Sequence, residues 1–183
     1  MMEQQEKKQS RNNHQKRSGG QRRGGNRQTE REKPEFEQKI LDLSRVTRVT
    51  AGGKRMRFRA TLVIGDRKGR VGLGIAKGAD VAIAVDKAYQ QAKKQVFHIL
   101  MHNETIPHEI RQKFGAAKIL LRPAPKGTGL KAGGAVRMLL ELGGVPNAVS
   151  KIYGGSNNKI NVAKATCKAL RQLQLPNNLN KKI

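Results

Sequence analysis

Between Arg45 and Ala76 the chain reads as three strands joined by two short turns, Gly52-Gly53 and Gly65-Asp66-Arg67-Lys68-Gly69. Turns of that length leave an antiparallel meander as the available topology. Side chains alternate along a strand, so Arg55, Arg57 and Arg59 share one face of the second strand while Met56, Phe58, Ala60, Leu62 and Ile64 share the other. One face is a core and the other is a row of guanidinium groups about 7 Å apart. In the third strand Val71, Leu73 and Ile75 alternate with Arg70, Gly72 and Gly74. Its glycine face is nearly bare, which leaves room for a close backbone or a packed helix.

The chain carries 38 Lys and Arg against 13 Asp and Glu, a formal net charge of +25. Self-repulsion on that scale is best relieved by a polyanionic partner, nucleic acid first among them. The arginine spacing is close to that of successive phosphates on an RNA backbone, and Gly52 and Gly53 permit positive φ and close approach. Arg45, Arg48 and Lys54 flank the turn. Together with Arg55, Arg57 and Arg59, and with Lys77 beyond the third strand, they form the candidate RNA-binding set. Aromatic residues make up 3% of the chain with no Trp, which argues for reading backbone and shape instead of stacking many bases.

Other partner classes fit less well. There is no apolar run long enough to span a membrane and the basic N-terminal segment has no apolar face, so no membrane partner is expected. A single cysteine, Cys167, precludes an intramolecular disulfide and a cysteine-rich zinc site and agrees with a reducing compartment. The N-terminus lacks the apolar core of a secretory signal, and Glu3 and Glu6 fit an organelle transit peptide poorly, so the cytoplasm is the expected location.

The expected architecture is α+β with two small domains. Residues 1–37 read as a disordered basic arm, since Lys7, Lys8, Arg11, Lys16, Arg17, Arg22, Arg23 and Arg27 are set among polar residues and glycine. Residues 38–103 read as β-β-β-α. The first strand is expected from Ile40 to Thr50 with Leu41 and Leu43 on one face. A helix is expected to reach about Leu100, with Val81, Val85, Ala88, Tyr89, Ala92, Val96 and Ile99 on its apolar stripe. Residues 104–176 read as a second α/β unit. It comprises a strand from Ile106 to Phe114, a return strand from Lys118 to Arg122, and a glycine-rich stretch from Lys126 to Gly134. A short helix follows through Val136, Leu139 and Leu140, then a strand from Val149 to Tyr153 and a last helix capped by Asn161. Residues 177–183 read as a polar tail.

No catalytic constellation emerges. Gly72-x-Gly74 lacks the third glycine of a dinucleotide motif, and the stretch from Gly127 to Gly134 has no Gly-Lys-Ser/Thr of a phosphate loop. His98 and His102, four apart at the expected end of the long helix, have no HExxH glutamate or paired cysteine beside them, so a metal is not expected. Cys167 reads as a small buried hydrophobe. The expectation is a protein that is not an enzyme, with no cofactor and no small-molecule substrate.

Several segments carry a resemblance. They are Arg45-Val46, Gly52-Gly53-Lys54-Arg55 with Phe58 and Ala60, Val63-Ile64-Gly65-Asp66 and Gly69-Arg70-Val71-Gly72-x-Gly74, followed by Pro123-Ala124-Pro125-Lys126-Gly127-Thr128-Gly129, Gly133-Gly134-Ala135-Val136-Arg137, Glu141-Leu142-Gly143-Gly144-Val145, Lys151, Tyr153-Gly154 and Asn161-Val162. In this order the chain resembles the bacterial-type small-subunit ribosomal protein five family from about Phe36 to Leu175. The resemblance implies a double-stranded-RNA-binding-like first domain and a second, two-layer domain with a left-handed βαβ crossover. It implies small-subunit rRNA as partner, contacted through the glycine loop, here Thr47 to Lys54. It further implies a place beside mRNA at the entry channel with small-subunit proteins three and four, protein eight as a further neighbour, and an influence on decoding accuracy. By position, Gly129 and Arg137 fall in the interface with protein four. Three departures stand out: Ala51 where the family commonly has lysine, Arg57 and Arg59 where smaller polar residues are frequent, and Ala76-Lys77-Gly78 in place of Gly-Lys-Ala. The alternative function is a free-standing double-stranded-RNA-binding protein or RNA chaperone.

Overall fold

Two four-stranded sheets meet across a shared hydrophobic core. The computed structural model describes residues 35–175, so the basic arm expected over 1–37, apart from residues 35–37, and the polar tail expected over 177–183 lie outside the described residues.

The first sheet has the order β1 (Glu37–Thr50), β2 (Gly53–Gly65), β3 (Arg70–Gly78), β4 (Phe97–His98), antiparallel throughout. Helix α1 (Val81–Lys94) packs on one face of it, and the glycines of β3 are the reason it can. A Cβ on Gly72 would stand 2.6 Å from the carbonyl oxygen of Ala92, and one on Gly74 would overlap that of Ala88. The helix answers with its own small residues, Ala84, Ala88 and Ala92, all fully buried. Phe36, Ala60, Leu62 and Ile64 complete this second, smaller core. The bare strand face is thus filled by a helix at close backbone distance.

The helix ends earlier than its apolar spacing predicts. It stops at Lys94 with Gln95 as C-cap, and Phe97 and His98 turn back to pair with Val71 and Arg70. The free edge of β3 offers Phe97 and His98 ladder pairing that a further helical turn would forgo, and the aromatic Phe97 suits a strand. Ile99, expected on the helical stripe, donates its amide to the Gly69 carbonyl at 2.7 Å and enters the shared core. His98 and His102 are therefore not neighbours on a helix face. In β1 a bulge between Ile40 and Asp42 breaks the alternation. Leu41 and Leu43, expected on one face, separate: Leu41 is buried and Leu43 is 45% exposed.

The second sheet has the order β5 (Ile110–Phe114), β6 (Ala117–Pro123), β8 (Ala148–Tyr153), β7 (Leu130–Lys131). All its pairings are antiparallel except β7 with β8, which are parallel and joined through α2 (Gly134–Leu142) as a βαβ unit. Helix α3 (Lys159–Arg171) follows β8. The short strand β7, inside the glycine-rich stretch, has no alternation from which to predict it. The strand expected from Ile106 starts at Ile110, because His102 and Thr105 close a small turn and Ile106 is buried ahead of Pro107. Asn158, not Asn161, caps α3: its Oδ1 accepts from the amides of Ile160 at 3.1 Å and Asn161 at 3.2 Å.

Leu41, Val63 and Leu73 of the first sheet share a core with Leu139 and Leu140 of α2 and with Val162 and Leu170 of α3. The second half of β2 is therefore covered on both faces, by α1 and by the second sheet's helices. That explains its unbroken apolar run from Leu62 to Ile64, where a one-sided strand would alternate.

Candidate nucleic-acid interface

Cross-strand register sorts the basic residues of the hairpin onto two faces. Val46 pairs with Arg57 and Arg48 with Arg55 on β1 and β2, while Arg59 pairs with Lys77 on β3. Directly paired residues point the same way, so Arg48, Arg55, Arg57, Arg59 and Lys77 lie on one face. On the opposite face Arg45 pairs with Phe58, Thr47 with Met56 and Val49 with Lys54. Arg45 and Lys54 thus stand on the side away from the arginine row, a division that the sequence alone does not draw. Gly52 and Gly53 form the exposed tip, with Gly53 at φ 132°, and nothing lies within 4 Å of where their Cβ atoms would be.

The basic face is electrostatically unfavourable on its own. Arg48 faces Arg55 and Arg59 faces Lys77 across the ladder, and like charges directly opposite destabilise a sheet. Among the described residues Arg48, Arg55, Arg57 and Lys77 have no acidic partner within salt-bridge distance. A groove of about 280 Å³ runs between them, lined also by Val46 and Thr47. Arg59 differs: its Nη2 lies 3.8 Å from Asp42 Oδ2, and Lys159 Nζ lies 3.8 Å from Asp42 Oδ1. The innermost arginine is held at the junction of the two sheets, and the outer ones are free. Asp42 had no role in the sequence-based reading. The signal was its place as the one acid within the stretch from Ile40 to Arg59.

The base of the hairpin is fixed by a built turn. The Asp66 carboxylate accepts from the amides of Lys68 at 2.8 Å and Arg70 at 3.0 Å and from Arg70 Nε at 2.6 Å. Burial pushes the Asp66 carboxyl up, but the hydrogen bonds from Arg70 and the two amides outweigh it and hold the group below the usual carboxylate value. Arg67, at φ 57°, donates its amide to Leu142, and Gly69 donates to Gly143, so the turn sits on the last carbonyls of α2.

In the second sheet the face away from α2 and α3 is also basic. Lys113 pairs with Lys118, which pairs with Tyr153, and Arg111 pairs with Leu120, which pairs with Lys151. These residues were not among the sequence candidates, although the alternation of Lys118 with Ile119 was there to read. The candidates Gly129 and Arg137 belong to the βαβ unit and the loop that leads into it. Gly129, at φ 70°, precedes β7 and its amide donates to Asn147 Oδ1 at 3.0 Å. Arg137 is exposed on α2.

Comparison with known proteins decides the family. Residues 36–100 match the model of the ribosomal protein S5 N-terminal domain, and residues 112–183 match that of the ribosomal protein S5 C-terminal domain. The small ribosomal subunit protein uS5 of Thermus thermophilus is 49% identical over 140 residues, 76% of this chain and 86% of that protein. The same figures hold for its counterparts in two individual strains of that species. The chain belongs to the ribosomal protein S5 family. The two S5 domain matches meet the structure at its two sheets, the first match covering β1 to β4 and the second opening inside β5. The basic face of the hairpin belongs to the S5 N-terminal match, and Gly129 and Arg137 belong to the C-terminal one.

Proposed function

We propose that this chain is a structural component of the small ribosomal subunit, in the cytoplasm, and that it holds rRNA through the free half of its β1–β2 hairpin. One observation carries this reading: like charges stand directly opposite one another on a face with no acid beyond Asp42, an arrangement that a phosphate backbone stabilises. Arg48, Arg55, Arg57 and Lys77 neutralise phosphates, Gly52 and Gly53 let the tip approach closely, and Arg45 and Lys54 serve a second strand or flank on the other face. Arg59 splits its charge between phosphate and Asp42. The finer parts rest on the family: a place beside mRNA at the entry channel, neighbours among small-subunit proteins three, four and eight, an interface at Gly129 and Arg137, and an influence on decoding accuracy. The division into domains at 38–103 and 104–176 rests on the order of strands and helices read from the sequence. The role is architectural, with no reaction catalysed.

The test is a salt titration of rRNA binding with the full chain. If about six phosphates are contacted, log K falls against log salt with a slope near −4 to −5. A flat dependence removes the electrostatic reading. Co-sedimentation with small-subunit particles supports a resident subunit protein, while recovery in free fractions favours the free-standing RNA binder.

A further inference from the structure

A cleft of about 720 Å³ lies between β3 and α3 and is not part of the hairpin. Its floor is apolar, made by Leu73 and Ile75 of β3. Its rim on α3 carries Lys164, Lys168 and Arg171, spaced four and three residues apart and so on one helix face. None of the three has an acidic partner among the described residues.

The three cations are not equivalent. Arg171 is committed to the fold: it donates to the Gln95 carbonyl at 3.2 Å, and its guanidinium lies 4.7 Å from the centre of the Phe97 ring. Lys164 lies 5.2 Å from the centre of the Phe114 ring, which is 38% exposed at the cleft edge. Lys168 is exposed and free. Gln91 accepts the Ile75 amide through Oε1 at 3.1 Å, which leaves its amide NH2 as a hydrogen-bond donor at the cleft wall. An apolar slot with an aromatic edge, an amide donor and two ammonium groups on flexible stems fits a planar ring that carries a phosphate. The volume is within the usual range for ligand sites, about 300–1,000 Å³.

The cleft is also continuous with the hairpin. Leu73, Ile75 and Lys77 alternate onto one face of β3, and Lys77 pairs with Arg59 at the start of the basic row. One step of about 7 Å therefore separates the apolar floor from the phosphate-binding face. We propose that this cleft receives one unstacked nucleotide, its base on Leu73 and Ile75 beside Phe114 and its phosphate on Lys168 and Lys164. An RNA strand lying along the hairpin supplies it more readily than a free mononucleotide does, because the backbone is already held next door. This proposal rests on the rRNA-binding reading of the hairpin.

The test follows the methyl resonances of Leu73 and Ile75 by NMR in the full chain. It titrates a single-stranded oligoribonucleotide, a duplex RNA of the same composition, AMP and an acidic peptide. The single strand is expected to shift both methyls and to bind at least tenfold more tightly than AMP, with the duplex leaving them in place. Lys164→Ala with Lys168→Ala is expected to weaken single-strand binding about tenfold and to leave duplex binding within twofold. Unmoved methyls with the single strand, tighter binding of AMP, or a larger response to the acidic peptide overturns the proposal. Arg48→Ala with Arg57→Ala separates the parent reading: unchanged duplex binding in that variant removes the hairpin interface, while the methyl shifts report on the cleft alone.

Discussion

The amide of Arg67 donates to the carbonyl oxygen of Leu142 at 2.9 Å, joining the β2–β3 turn to the C-terminal end of α2 across 75 residues of sequence. Helix ends leave their last carbonyls without intrahelical donors, and here a turn from the other sheet supplies them. Gly144 makes the approach possible, since a Cβ there would overlap the carbonyl of Arg67. The chain thus uses one turn both to close a hairpin and to fasten its two sheets.

Three carboxylates, one of them in that turn, make the protein acid-sensitive. Asp66, Glu109 and Glu141 all sit below their usual pKa in the folded state. Asp66 is lowered by hydrogen bonds that outweigh its burial, Glu109 by hydrogen bonds led by Arg122, and Glu141 by its bond to Lys39. A depressed folded pKa contributes stability that is present above the unfolded value and is lost as pH falls through the folded one. The thermal midpoint should therefore decline once the pH drops below about 4, where carboxylates of ordinary pKa begin to protonate. In Asp66→Asn that decline should be shallower, measured by circular dichroism melts over the same acid range. An equal decline in both proteins would assign the acid sensitivity elsewhere.

Two glycine substitutions of opposite sign test the helix packing. In Gly74→Ala the new methyl meets the backbone of Ala88 and Ala92, and neither can move without unseating α1. A loss of about 1–3 kcal/mol is expected, with overpacking as the cause. Gly134 has open space at its Cβ and opens α2, so Gly134→Ala should hold or raise stability by about 0.5–1 kcal/mol. Urea unfolding of the two variants reads both.

Asn147 is buried and ties the glycine-rich loop to the rest of the second sheet. Its Oδ1 accepts from Gly129, its Nδ2 donates to the Glu104 carbonyl at 3.4 Å, and its own carbonyl accepts from Thr105 Oγ1 at 2.7 Å. Asn147→Ala leaves the Gly129 amide without its partner, at a cost of about 1–3 kcal/mol. Hydrogen exchange at Gly129 should accelerate more than at Val136 in α2. Uniform acceleration would mean global destabilisation instead of a loosened loop.

The outer and inner arginines should separate in binding. Arg57→Ala removes a free cation and should reduce the magnitude of the salt slope for rRNA by about one, with stability little changed. Arg59→Ala also removes the partner of Asp42 between the sheets, so it should lower both binding and the unfolding midpoint. Identical effects of the two would show that the Asp42 contact carries no weight in solution.

Local chemistry made the meander legible. Two glycine turns and strict alternation give three antiparallel strands, and the bare face of Gly72 and Gly74 anticipates a packed helix. Features set by distant partners were not legible. Ile99 keeps helical spacing, yet the pairing of Phe97 and His98 with the free edge of β3 ends the helix and the shared core takes Ile99. Leu41 and Leu43 obey alternation on paper, and a single bulge separates them. The basic set was readable residue by residue, but its division into two faces needed the register. Asp42 shows the limit most plainly, because its partners Arg59 and Lys159 come from two different elements.

The double burial of β2 ends near Ala60, and from Gly53 to Arg57 every residue is exposed. The hairpin is in mechanical terms a cantilever: one half is clamped between two layers, and about five residues, roughly 17 Å at about 3.4 Å each, project beyond the clamp. A beam anchored in that way cannot swing its charged end without bending. Whatever it touches is therefore held at a fixed height and angle to the body, so the hairpin sets a distance as well as a charge.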